Sequence, residues 1–177
     1  MRRLGIALVA ALTLAGAALL VPGQAFASAR ASIPGSRPAW ATANAFRGNA
    51  PGGGRIGFRV YLDWRADPSS LIRAVTTPGS PQYGHYLTPA QFRAQFAPST
   101  ADVQAVQQWL GGQHLHIDYT PSNNLYVAAD GTVAQANAAF ATTLGDYQVG
   151  DQQLRAPETT PSVPAGLPQV NVVGLDD

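Results

Sequence analysis

The chain contains no cysteine and no lysine, a single glutamate and, beyond Met1, no methionine. Without cysteine there is no disulfide framework, no thiol nucleophile and no thiolate zinc site. Without lysine every cationic side chain is an arginine, and charged residues of both signs make up only 12% of the sequence. Charge this sparse forms no basic stripe able to neutralise a phosphate backbone, which argues against nucleic acid as a partner.

Long apolar runs are also missing, with one exception. Leu4 to Val21 is apolar throughout, Arg2 and Arg3 precede it, and Pro22-Gly23 breaks it. Ala25-Phe26-Ala27 and Ala27-Ser28-Ala29 then offer small-x-small cleavage sites, so residues 1–29 read as a secretory signal peptide cut near Ala27 or Ala29. An uncleaved membrane anchor is the rival reading, since the run approaches the roughly 18 residues that span a bilayer. The Pro-Gly break and the small residues favour cleavage. The remainder is then secreted and meets the membrane only transiently, during export. Setting aside Arg2 and Arg3, nine arginines face ten acids, a net charge of about −1. The roughly 150 residues left are enough for one core, which must hold without cross-links.

Residues 30–54 are rich in Ala, Pro, Gly, Ser and Asn and are expected to form a flexible segment in which Trp40 and Phe46 are isolated. A strand is predicted from Arg55 to Trp64, with Ile56, Phe58, Val60 and Leu62 on one side and Arg59, Tyr61 and Asp63 on the other. Asp67-Pro68 starts a short helix carrying Leu71, Ile72 and Val75, and Thr88-Pro89-Ala90-Gln91 is a capping box ahead of Phe92 and Phe96. Ser99 or Thr100 caps a helix that buries Val103, Val106 and Leu110, flanked by Trp109 and closed by Gly111-Gly112.

The stretch HLHIDY reads as a second strand with Leu115, Ile117 and Tyr119 inward, and LYVAA as a third that turns at Asp130-Gly131. Thr132 to Gln135 is another capping box, and its helix presents Val133, Ala136, Phe140 and Leu144. A hairpin turns at Gly150-Asp151, a proline-rich crossing occupies 157–168, and a last strand lies within 169–175. The order is β-α-β-β-α-β: an α+β, ferredoxin-like open sandwich over 55–177, core 55–156, with helices on one face of an antiparallel sheet.

Several motifs then agree with one family. SPQYGHYLTPAQFRAQFAPS followed by VQQWL, a helix ending AAFATTLGDYQ, and VPAGLPQVNVVGLD resemble the activation pro-domain of the sedolisins, the kumamolisin-type serine-carboxyl peptidases. The likeness runs from Phe58 to Asp176. Tyr83-Gly84 with Tyr86-Leu87-Thr88 and Phe92 matches the family's signature turn into a helix, and Val173 to Asp176 its closing segment. The resemblance implies a domain that assists folding of a protease, blocks its active site and is released at acid pH. It implies no catalytic residue here: the family's Ser-Gly-Thr-Ser motif is absent. Its Glu/Asp helix pair is absent too, because Glu158 is followed four places on by Ser162. The family's calcium site belongs to the catalytic domain, so no cofactor is expected. The implied partner is a cognate serine-carboxyl protease domain, in cis or in trans; a free-standing secreted inhibitor is the alternative within this class.

Other classes stay in view. His114, His116 and Asp118 alternate along the predicted second strand, so a small zinc hydrolase is conceivable, although the polar side of an amphipathic strand explains them as well. An exported surface-binding module held by an uncleaved anchor is the structural alternative. Opposite the helices, Arg59, Tyr61, His114, His116 and Tyr126 are expected to share an open face, with residue types that dominate buried interfaces. On that face the two histidines are expected to act as an acid-release switch against the protease. His85, in the signature turn, is expected to serve loop hydrogen bonding.

Overall fold

The computed structural model describes residues 29–177, so the signal-peptide reading lies outside the described residues. In chain order the elements are β1 (Arg30–Ser32), β2 (Phe46–Asn49), β3 (Arg55–Leu62), α1 (Ser69–Thr76), α2 (Pro89–Phe96) and α3 (Thr100–Gly112). These are followed by β4 (His116–Tyr119), β5 (Tyr126–Thr132), α4 (Val133–Phe140), β6 (Leu144–Val149), β7 (Gln152–Pro157), β8 (Ser162–Pro164) and β9 (Val170–Val173).

The main sheet runs β4-β5-β3-β9 with every neighbouring pair antiparallel. With α3 between β3 and β4, and α4 after β5, this is the ferredoxin-like α+β arrangement. The two-residue period of β3 decides which side is covered: Ile56, Phe58, Val60 and Leu62 are buried while Arg55, Gly57, Arg59 and Tyr61 face out. Val103, Val106 and Leu110 of α3 and Val133, Ala136, Ala139 and Phe140 of α4 pack on the buried side, with Val127 and Ala129 of β5. Phe140 is the hub, meeting Phe58 and Trp109 edge-on at centroid distances of 5.1 and 5.4 Å. Both helices begin where their capping boxes lie, Ser99 with Asp102 and Thr132 with Gln135.

Helices α1 and α2 stand apart from that core. Their aromatic cluster is local: Trp64 lies 5.1 Å from Phe92, and Phe92 lies 5.0 Å from Phe96. A second small sheet, β2-β6-β7, carries its own cluster around Tyr147, with the predicted turn between β6 and β7.

Four expectations need correction. Residues 30–54 are not a loose segment: β1 pairs with β8 inside the proline-rich crossing, β2 pairs with β6, and Ile33 and Ala41 are fully buried. Trp40 and Phe46 are not isolated but pack edge-on against Tyr147 at 5.9 and 5.5 Å. Composition could not show this, because a few apolar side chains dock on strands more than 90 residues downstream. Asp130-Gly131 does not turn the chain but lies within β5, which runs on to Thr132. Leu144 belongs to β6, since Ala141 adopts a left-handed φ of 47° and ends α4.

The fourth correction concerns the second strand, which starts at His116. His114 has φ +60° and its N–H donates to the Gly111 carbonyl at 2.9 Å, so it closes the turn after α3. The pairing with β5 then slips between Ile117 and Tyr119, a bulge that absorbs Asp118. A one-residue slip moves everything beyond it to the other face. Tyr119 therefore lies opposite Ala128 and is exposed, instead of lying inward with Leu115 and Ile117.

Candidate functional site

The uncovered face of the main sheet is the candidate site. Alternation along β3 brings out Arg55, Gly57, Arg59 and Tyr61, and the same alternation on β5 brings out Tyr126, Ala128, Asp130 and Thr132. Register then sets the neighbours. Tyr61 lies opposite Tyr126, Arg59 opposite Ala128, and Asp130 between Gly57 on β3 and His116 on β4.

At one end the aromatic rings line up across three strands. Tyr61 and Tyr126 have centroids 5.2 Å apart, Tyr126 and Tyr119 are 6.2 Å apart, and the Arg59 guanidinium sits 5.6 Å from the centre of the Tyr126 ring. At the other end Asp130 is shared: Arg55 pairs with one carboxylate oxygen and His116 Nδ1 lies 2.8 Å from the other. Between the two ends Gly57 and Ala128 leave a shallow floor, rimmed by Asp118 and by Val173, which is 55% exposed.

Of the five residues expected on this face, Arg59, Tyr61, His116 and Tyr126 sit on its strands. His114 does not, because it occupies the turn before β4. Tyr119, Arg55 and Asp130 are additional members. Strict alternation placed Tyr119 inward, and the Asp-Gly dipeptide pointed to a turn; the bulge and the long β5 have no local signature. Among the described residues no three His, Cys, Asp or Glu side chains gather as metal ligands, so the alternating trio His114, His116 and Asp118 is not assembled. What the face offers is a row of tyrosines beside arginines, residue types enriched in buried interfaces.

The signature turn has a different character. Gly84 adopts φ +76° while its N–H donates to the Val75 carbonyl at 2.9 Å, and the His85 N–H donates to the Gln82 carbonyl at 3.0 Å. Thr88 accepts from the Gln91 N–H at 3.2 Å to start α2, and Leu87 is half-buried beside it. Tyr83 and Tyr86 are exposed.

The profile of the family described as "Pro-kumamolisin, activation domain" matches residues 42–177. The chain is 36% identical over 117 residues to "Sedolisin" of Pseudomonas sp. (strain 101), an alignment covering 63% of this chain and 19% of that protein. It is 32% identical over 170 residues to "Xanthomonalisin" of Xanthomonas sp. (strain T-22), covering 85% of this chain and 20% of that one. The chain thus spans about a fifth of the length of these curated relatives. Among the described residues no helix is long and apolar enough to cross a membrane.

Proposed function

The chain belongs to the pro-kumamolisin activation-domain family, and from that premise we propose that it is the pro-region of a secreted sedolisin-type serine-carboxyl endopeptidase. In this reading it acts as folding chaperone and inhibitor of the catalytic domain, in cis or in trans, and itself performs no catalysis. The observation that carries the reading is the open sheet face, where Tyr61, Tyr126 and Tyr119 form a preorganised ridge flanked by Arg59. Aromatic side chains fixed by cross-strand stacking lose little entropy on docking, so their burial goes largely into affinity. A surface of that shape, standing ready before the protease is complete, is also a template against which the protease can order itself.

For release at acid pH, this reading looks to the charges of the same face, where Asp130 lies between Arg55 and His116 and Asp118 stands on the rim. A carboxylate that lost its charge inside the interface would leave an arginine without counter-charge, and an uncompensated buried charge there costs several kcal/mol. His114 is outside this set.

The test is inhibition in trans of sedolisin and xanthomonalisin, each freed of its own pro-region. Wild-type chain is expected to inhibit at neutral pH and to lose potency as the pH falls. Tyr61→Ala with Tyr126→Ala should weaken binding by about 10- to 1,000-fold, the range of one or two interface hot spots. His116→Gln, which cannot take up a proton, should flatten the pH dependence of inhibition, while His114→Gln leaves it unchanged. Failure to bind either protease at about 100 µM would overturn the reading.

A further inference from the structure

A cleft separate from the tyrosine face opens at the end of the sheet where β3 leaves and β5 begins, the two strands joined there by the Leu62 N–H donating to the Leu125 carbonyl at 3.0 Å. One half of it is apolar. Trp64, Leu87, Phe92 and Leu125 line a space of about 400 Å³, within the size range of ligand clefts. The other half is polar, a space of about 350 Å³ bounded by Arg65, Arg93, Ser122 and Asn124. The halves adjoin, with Arg93, Ala97 and Asn123 lining both.

Its walls are tied down independently of any occupant. Arg65 Nε donates to the Ala97 carbonyl at 2.6 Å and its Nη2 to the Ala94 carbonyl, which secures the end of α2. Asn124 Nδ2 donates to the Pro98 carbonyl at 3.0 Å, and the Arg65 N–H donates to the Phe96 carbonyl at 3.0 Å. The edge-on pair of Trp64 and Phe92 sets the apolar wall. Two donors where the halves meet are left over. The Arg93 side chain is exposed and makes no hydrogen bond or ion pair among the described residues. Asn123 Oδ1 accepts from the Leu125 N–H at 3.2 Å, which orients its amide and leaves the NH₂ side open. No carboxylate lines either half.

An apolar pocket adjoining a polar cleft, with the Arg93 guanidinium and the Asn123 NH₂ unengaged where they meet and no carboxylate in the lining, is complementary to an apolar group followed by an anion. We propose that this cleft binds an extended protein segment presenting a large apolar side chain and, a few residues on, an aspartate or glutamate. The apolar side chain enters between Trp64, Leu87 and Phe92, and the carboxylate meets Arg93 with the Asn123 amide. The signature turn thereby acquires a binding role, since Leu87 and the start of α2 that Thr88 caps form one wall. The site stands apart from the sheet face, and its failure would leave the protease-facing reading untouched.

The experiment is an NMR titration of the isotopically labelled chain with acetyl-Gly-Leu-Gly-Asp-Gly-amide, its Asn counterpart, and sodium hexanoate. The Asp peptide is expected to shift the Trp64 indole and Asn123 amide signals in a saturable way, with the Asn peptide at least fivefold weaker. Arg93→Gln should reduce the Asp peptide to the level of the Asn peptide. Arg93→Glu should instead prefer the same peptide with lysine in place of aspartate, a reversal that mere misfolding cannot produce. Equal binding of the Asp and Asn peptides, or shifts scattered away from the cleft, would overturn the proposal. So would hexanoate binding as tightly as the peptide, which would mark a small-carboxylate site instead of a protein-docking one.

Discussion

Gly174 is the residue at which space and backbone demand the same thing. Its φ is +98°, and a Cβ there would stand 2.9 Å from the Gly57 carbonyl oxygen and 3.2 Å from the Phe58 Cα, both backbone atoms that cannot step aside. Gly174→Ala combines a left-handed penalty of about 1–2 kcal/mol with overpacking of about 1–3 kcal/mol, so a loss of about 2–5 kcal/mol is expected. A urea-denaturation midpoint measures it directly, and a loss under 1 kcal/mol would mean that β9 can shift relative to β3. Asp67 is a residue-scale feature of another kind. It accepts from the Ser69 Oγ at 2.6 Å and from the Ser69 N–H at 2.9 Å, and these bonds hold its carboxyl below the ordinary value. Pro68 is the N-cap of α1 and no side chain caps it, so these are turn bonds ahead of the helix. The lowered folded-state value means that they act at full strength at neutral pH and are lost as the pH falls through that lowered value. Protection of the Ser69 amide should therefore exceed that of Asp67→Asn at pH 7 and converge on it only at a pH below the ordinary carboxylate value. Both features were partly legible: the Asp-Pro start is a local signal, whereas nothing local says that Gly174 faces Gly57.

At the scale of elements, three capping boxes begin three helices, yet they should not matter equally. Thr88 starts α2, whose contacts are the local aromatic cluster with Trp64, whereas Ser99 and Thr132 start the helices that build the main core. Each cap replaced by Ala costs about 1 kcal/mol. For Ser99→Ala and Thr132→Ala that cost should appear in global stability. For Thr88→Ala it should appear mainly as faster hydrogen exchange within α2, with the global midpoint nearly unchanged. A drop of equal size in global stability for all three would mean that α2 unfolds together with the sheet. Helix starts are legible because a cap and its third residue lie within one turn. The bulge in β4 is not, because it arises from pairing with β5, and the identity of Asp118 does not announce it.

At the scale of the whole molecule, residues 30–54 decide how the two sheets are finished. Ile33 enters the main core, β1 closes on β8, and Trp40 and Phe46 cover Tyr147. Arg30 adds hydrogen bonds to the Ala139 carbonyl at 2.6 Å and to Ser162 Oγ at 2.9 Å, and Arg37 donates to the Ala41 carbonyl. Because the chain has no lysine, trypsin reports on arginines alone. Limited proteolysis of the native chain is expected to cut first at Arg73 or Arg93, on the exposed faces of α1 and α2, and to spare Arg30 and Arg47. Rapid cleavage at Arg30 and Arg47 would show instead that this segment is only loosely docked.

What the sequence determined by itself was everything carried by neighbours along the chain. The two-residue period of β3 and β5 decided which face is covered, the caps decided where α2, α3 and α4 start, and the signature turn with the closing segment identified the family. Only the tertiary structure decided that Tyr119 joins the open face, that His114 leaves it, and that Arg55 and His116 share Asp130. It alone seated residues 30–54 and closed a cleft between Trp64, α2 and Asn123. Each of those outcomes rests on a pairing between residues distant in sequence. The free energy of such a pairing depends on a partner that no local window of sequence contains.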